Sequence, residues 1–362
     1  MSAEITANET MERTPAQRGR VWVRLWLYVI VALVFGMVML GGATRLTDSG
    51  LSITEWQPIH GVIPPLSQSD WDEEFAKYKL SPEYERVNKG MSLDEFKGIF
   101  WWEWAHRFLG RFVGFVFFVP LVFFWLTGRI ERWLKPRLVL LFAVGGFQGA
   151  IGWWMVTSGL VDRVDVSQYR LAVHLTFASG ILSYALWLAQ RLGAQGDERL
   201  PVEPIPGRRR ALVLVGLAFV QIFLGGLVAG LHAGLTYNTW PLMDGDLVPS
   251  GLMMMDPAWV NFFENITTVQ FQHRCDAYLL LALALWHWWA TRKSDVAPRL
   301  LKSGAAHAVG AVLAQAVLGI ATLLLVVPFG FALAHQALAV IVLMVLVVHA
   351  ARFYAVRDAR IS

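Results

Sequence analysis

A single cysteine, Cys275, is all that 362 residues provide. An intrachain disulfide and any thiolate metal cluster are therefore excluded, and Cys275 itself reads as a small apolar helix residue. Charge is scarce as well. Asp, Glu, Lys and Arg together make 16% of the chain, against 56% hydrophobic and 13% aromatic residues. That is too little charge to cover a soluble protein of this length, so an integral membrane protein is expected. Lys and Arg are missing altogether from 232–271. The net charge of +4 is thus a matter of placement and not a nucleic-acid signal.

Eight runs are apolar enough to cross a bilayer as helices, near 22–42, 104–126, 137–156, 170–191, 211–231, 273–291, 303–327 and 330–351. The polar segment before the first run has no small-residue cleavage site, so that run is read as a retained helix. Arg13, Arg18, Arg20 and Arg24 precede or open the first run; Arg129, Arg132, Lys135 and Arg137 join the second to the third. Arg191, Arg199 and Arg208–Arg210 join the fourth to the fifth, and Arg292, Lys293, Arg299 and Lys302 the sixth to the seventh. Arg352, Arg357 and Arg360 follow the eighth. The positive-inside rule then places both termini in the cytoplasm, or in the matrix of an organelle, with the protein in an inner membrane.

The chain repeats itself. His106-Arg107 is followed 42 residues later by Gln148, then by His174; His273-Arg274 is followed 42 residues later by Gln315, then by His335. Gly41, Gly42, Gly50, Leu51 and Trp56 recur at an offset of 184 as Gly225, Gly226, Gly234, Leu235 and Trp240. Each repeat holds an even number of runs, so both halves share one orientation and an axis along the membrane normal should relate them. The expected fold is all-α: a tail at 1–20, a four-helix bundle at 21–192, a linker at 193–207, a second bundle at 208–352 and a tail at 353–362. The first bundle carries a long outer loop, 43–103, with a short amphipathic helix around 70–79; 232–272 is the counterpart loop.

With this topology His106, His174, His273 and His335 fall in the first turns of helices that descend from the outer side. Each half contributes one pair, from its second and fourth helices, which face each other in such a bundle. Two intramembrane bis-histidine pairs suit two flat metal-bearing cofactors, haem being the obvious one. Zinc sites cluster their ligands more closely and usually include a carboxylate or thiolate. Arg107 and Arg274 are open to two readings, pairing with a haem propionate or snorkelling to the interface. Gln148 and Gln315 either bond within a pocket or hold helices together. The halves differ in charge: Glu55 stands where the second half has Thr239, and Glu103 where it has Gln270, with Asp48 and His60 also in the first loop. These ionisable groups suggest proton-coupled chemistry beside one site and electron transfer at the other; each carboxylate could equally be a solvated loop group.

The strings Gly42-Ala43-Thr44-Arg45-Leu46-Thr47, Ser49-Gly50-Leu51-Ser52 and Glu55-Trp56 resemble haem A synthases of the mitochondrial and alphaproteobacterial type. So do Glu103–Arg107, Phe147–Trp153, Ser167–His174 and Gln272–Arg274, and the likeness spans roughly 21–350. The resemblance implies oxidation of the C8 methyl of haem O to a formyl group, giving haem A for terminal oxidases, with haem b as cofactor. It implies that His273 and His335 are axial ligands of haem b, that His106 and His174 hold the substrate haem, and that Glu55 is the essential carboxylate. Another branch of the family carries paired cysteines in its outer loops, which Cys275 alone cannot supply. The implied partners are haem O, the lipid bilayer, the prenyltransferase that makes haem O, and an electron-transfer partner.

Two other readings compete. A di-haem electron-transfer cytochrome of the b type would ordinarily place its haems on opposite sides of the membrane. A transporter would more often show broken helices near the midplane.

Overall fold

A computed structural model describes residues 14–57, 60–194 and 205–355. Most of the linker and the outer parts of both tails, with Arg13, Arg199, Arg357 and Arg360, lie outside the described residues, as does the His60 side chain. The described chain is helical: α1 (Pro15–Leu46), α2 (Gln68–Tyr78), α3 (Pro82–Arg86), α4 (Leu93–Leu126), α5 (Lys135–Val156), α6 (Gln168–Ala194), α7 (Arg208–Gly230), α8 (Asn261–Glu264), α9 (Ile266–Arg292), α10 (Arg299–Leu324) and α11 (Phe329–Tyr354). Among the described residues the β pairing seen is one isolated bridge between Met243 and Asp246.

Eight of these helices have 22 residues or more, and seven are both long and apolar enough to cross a membrane. The eighth, α9, has the length, but Gln270, Gln272, Arg274 and Asp276 dilute its outer turns. Of the eight runs expected to cross, it is the one whose composition falls short.

The helices also begin earlier than the apolar runs. Helix α4 starts at Leu93 and not near 104, because Ser92 and Glu95 form a capping box there. The early turns are sheltered: Phe96 stacks on Phe75 and Tyr78 of α2 at 5.0 and 5.2 Å between ring centroids. His106 therefore sits in the fourth turn of its helix and not the first. The outer loop shrinks to 47–92 and includes α2, close to the expected amphipathic helix.

Helix α1 packs on α4 and α6, and α5 on α4 and α6; likewise α7 packs on α9 and α11, and α10 on α9 and α11. Between the two sets, α6 meets α7 and α11, and α1 meets α11. Val23, Leu27 and Ile30 of α1, Leu182 and Leu186 of α6, Leu214 of α7 and Leu343 of α11 belong to one buried apolar core. Phe112, Phe115 and Phe118 of α4 and Phe147 of α5 are exposed, as side chains solvated by lipid tails would be.

Glycine permits the closest approaches between the sets. A Cβ on Gly226 would lie 2.7 Å from Ala172 Cα, and one on Gly230 2.6 Å from Gln168 Cα. On the other side a Cβ on Gly42 would strike the Gln336 amide, which donates to the Val38 carbonyl at 2.6 Å. At the opposite end, Arg20 of α1 pairs with Glu131 at 2.7 Å, tying the first helix to the α4–α5 turn.

Candidate functional site

The repeat histidines sit on helices that share their neighbours: α4 and α6 each pack on α1 and α5, and α9 and α11 each pack on α7 and α10. His106 (α4) and His174 (α6) are each partly accessible, as are His273 (α9) and His335 (α11). Every ring lies against a glycine of a neighbouring helix. An added Cβ on Gly41 would lie 3.0 Å from His106 Nε2, and one on Gly152 2.9 Å from His174 Cε1. In the second half, Gly225 would meet His273 Cε1 at 3.3 Å and Gly319 would meet His335 Cε1 at 2.7 Å.

The polar frame around each pair is duplicated. Gln148 Nε2 donates to the His174 carbonyl at 3.0 Å and reaches its Nδ1 at 3.1 Å. Gln315 makes the same contacts to His335, at 3.0 and 3.1 Å. Each glutamine thus both bonds a repeat histidine and ties its helix to the next, so both readings that the sequence left open apply. The second half adds Gln221 of α7, whose Nε2 lies 3.3 Å from His273 Nε2. His273 Nδ1 is buried without a partner.

Arg107 and Arg274 fasten the outer loops. Arg107 donates to the carbonyls of Ile53 and Glu55 at 2.7 and 2.8 Å, and to Glu103 at 2.6 Å. Arg274 donates to the carbonyls of Tyr237 and Thr239 at 2.8 and 2.9 Å, and to Gln270 Oε1 at 3.3 Å. Neither arginine is a free snorkelling cation. Glu103 is no solvated loop group: it is 3% exposed and also accepts from Ser52 Oγ and Ile53 N, both at 2.7 Å. Neutral Gln270 fills the corresponding place, donating to the Ala233 carbonyl at 2.9 Å.

Glu55 is exposed on the loop that Arg107 holds. Its carboxylate accepts from Gln57 at 2.7 Å and pairs with Lys77 of α2 at 3.3 Å. Burial disfavours the Lys77 cation, yet Glu73, Glu74 and Glu55 together hold its pKa well above the ordinary lysine value. Trp56 stacks on Trp153 at 5.9 Å, and Arg107 lies over the same ring at 5.6 Å. Trp153 adjoins Gly152, against which His174 rests. The Glu55 loop is thereby seated over the outer end of the first pair.

Across the outer surface between the halves, Arg45 Nη2 lies 2.7 Å from His232 Nε2 and 3.6 Å from Asp165. The contact from His232, with Arg45 beside it, holds the Asp165 carboxyl below its ordinary range despite burial. Sequence reasoning missed this cluster, since His232 has no counterpart at the repeat offset. It also set aside His287 and His349. These lie fourteen residues beyond His273 and His335 on the same helices, are both 1% exposed, and share an Nε2–Nε2 hydrogen bond of 2.9 Å. Metal–imidazole bonds of about 2 Å would place two nitrogens about 4 Å apart across one iron, so this pair is closed to a porphyrin. Cys275 is exposed on α9.

Paired imidazoles, partly accessible, backed by glycine and oriented by an amide, fit a flat metal-bearing group. Among the described residues no group of three or more His, Cys, Asp or Glu side chains is placed to hold a bare metal ion. The family of cytochrome oxidase assembly proteins (COX15-CtaA) matches residues 24–347. The chain belongs to this family. It is 60% identical over 334 residues to a heme A synthase of Chelativorans sp., covering 91% of this chain and 90% of the relative. It is 56% identical over 332 residues to the heme A synthase of Mesorhizobium japonicum, covering 90% and 89%. With that of Sinorhizobium medicae the identity is 51% over 350 residues, covering 96% and 94%.

Proposed function

We propose that this chain is a haem A synthase of the inner membrane, oxidising the C8 methyl group of haem O to a formyl group by successive oxidations. Family membership and relatives of that name over nine-tenths of the chain support the reaction. The observation that carries the two-site reading is the duplicated frame, glutamine on one histidine and arginine beside the other, with Glu55 and Glu103 in one copy where the other has Thr239 and Gln270. Eight helices cross the membrane as two four-helix bundles, 21–192 and 208–352, related by a pseudo-two-fold along its normal. The matching helix contacts support this, and the basic loops support cytoplasmic termini.

In this reading His273 and His335 hold haem b in the second half, and His106 and His174 hold the iron of the substrate haem in the first. The haem b iron supplies one-electron redox chemistry. Gln315 and Gln148 orient one ligand of each pair. Arg107 clamps Ile53 and Glu55 to α4, and Trp56 on Trp153 excludes water from the rim. Glu55 accepts the protons released by oxidation and passes them to the outer solvent, to which it is open; Lys77 and Gln57 aim its carboxylate. A propionate would find Nε of Arg274, which the loop leaves without a partner. A separate electron-transfer partner would complete the redox cycle, and haem O would come from the membrane prenyltransferase that makes it.

The test is the haem content of the full chain purified from cells that also make haem O. Haem A, or its hydroxylated precursor, is expected beside haem B. Haem B with unchanged haem O would overturn the assignment in favour of an electron-transfer cytochrome.

A further inference from the structure

The outer loop of the second half turns apolar side chains outward while its backbone is held from beneath. Leu247 is 79% exposed, Met254 78% and Trp259 60%, with Val248 and Met253 exposed beside them in the chain. Arg274 binds the carbonyls of Tyr237 and Thr239, and Tyr237 Oη lies 3.1 Å from Thr267 Oγ1. Asn265 donates to the Gly251 carbonyl at 2.9 Å. Asn261 exchanges hydrogen bonds with the backbone of Met255, at 2.7 and 2.9 Å. The loop is thereby fastened over the outer end of α9. His273 lies seven residues beyond the first residue of that helix, about 10 Å along its axis.

The same loop is acidic without compensation. Between 232 and 272 there are four acidic residues and no Lys or Arg. Glu264 accepts from the Tyr169 hydroxyl at 2.7 Å. Asp244, Asp246 and Asp256 are exposed, Asp246 adjoining Leu247 and Asp256 adjoining Met255. The first loop answers its acids internally: Lys77 pairs with Glu55, Glu73 and Glu74, Lys89 with Glu85, and Lys97 with Asp94. Exposed apolar groups with charge of one sign at their margin suit protein docking, where the charge steers the encounter and the apolar groups seat it. Immersion in the bilayer surface would instead favour Lys and Arg beside the apolar groups.

We propose that segment 244–259 is the docking surface for a basic, water-soluble one-electron carrier protein that reoxidises haem b from the outer side. The step moves one electron from ferrous haem b to the oxidised metal of the carrier; no bond forms or breaks, and no proton is transferred. Basic groups of the carrier meet the three aspartates, and an apolar rim around its redox centre meets Leu247, Met254 and Trp259. The inference rests on His273 and His335 holding haem b.

Cytochrome c, a lysine-rich haem protein, serves as the probe. The full chain with haem b bound and reduced is mixed with ferric cytochrome c, and the haem b absorbance is followed as it oxidises. The rate should fall as salt rises, and cytochrome c succinylated on its lysines should react far more slowly. Asp244→Asn, Asp246→Asn and Asp256→Asn combined should cut the low-salt rate at least about tenfold and flatten its salt dependence. Met254→Ala should lower the rate at every salt concentration. Retained haem b reports that each variant is folded. A rate indifferent to salt and to succinylation, or a triple variant as fast as the parent, overturns the docking surface. So does a spin label on Met254→Cys, in a Cys275→Ala background, that is relaxed more by oxygen than by a water-soluble nickel complex, because the loop then lies in lipid. His273→Ala tests the reading beneath it: if haem b is retained there, the haem is misassigned whatever the triple variant does.

Discussion

Gln315 Nε2 lies 3.1 Å from His335 Nδ1 and 3.0 Å from the same residue's carbonyl, while its own Oε1 has no partner. With an amide N–H on Nδ1, the imidazole proton sits on Nε2. Were His335 to hold a haem iron as proposed, that proton would have to move to Nδ1, and the amide would turn to put its unpartnered oxygen there. Gln315→Leu removes this support, and partners of this kind are typically worth about 10–100-fold in metal affinity. Haem b content of the purified variant, read by its absorbance, should fall accordingly; full retention would show the amide to be incidental.

The division of labour between the halves gives a second prediction. His273→Ala is expected to empty the second half of haem b. Glu55→Gln should keep haem b and stop haem A formation. Haem extraction after coexpression with a haem O source reads both at once, and a Glu55→Gln protein that makes haem A at the normal rate removes the carboxylate from the mechanism.

A third concerns the clamp. Arg107→Ala frees the carbonyls of Ile53 and Glu55, so amide exchange over 50–57 should quicken. Turnover should drop by up to about a hundredfold, the scale of a misplaced reacting group. Haem b should be unaffected, because Arg274 fastens the other loop independently.

The closed pair His287–His349 makes a fourth. His287→Leu strands the His349 Nε2 in an apolar core, at a cost of about 1–3 kcal/mol, and the double substitution to Leu should recover part of it. Haem b content should not change in either variant. Loss of one haem equivalent would instead mark the pair as a second cofactor site.

A fifth is a pH dependence of the outer loop. Glu83 is buried beneath α2, accepting from Tyr78 at 2.9 Å. Burial, with the Glu103 charge nearby, pushes its pKa up to about 7. A carboxyl raised on folding stabilises most fully below its unfolded value, and that stability is lost as pH rises through the folded value. Exchange protection of 68–86 should therefore decline between about pH 4.5 and 7, and Glu83→Gln should flatten the profile.

Much of this was legible in the sequence because duplication marks it. The histidines, glutamines and arginines recur at fixed offsets, and each recurrence proved to be a shared contact. The early start of α4 was hidden because 93–103 carries charge and packs against α2, so it does not read as an apolar run. The clamp was hidden for a different reason: the partners of Arg107 and Arg274 are mainly backbone carbonyls, which any residue supplies. His287 and His349 stand at equal spacing from His273 and His335, but spacing alone does not reveal that the rings touch.

Gly226 and Gly230 let α7 meet α6 of the other half backbone to backbone, with no side chain between them at these points. Such a seam fixes a distance. Electron tunnelling falls off exponentially with separation, so a hinge between two haem-bearing halves would make the transfer rate fluctuate with every movement. If the halves hold haems as proposed, closing the seam at these glycines with hydrogen in place of side chains would keep the two redox centres at one constant spacing.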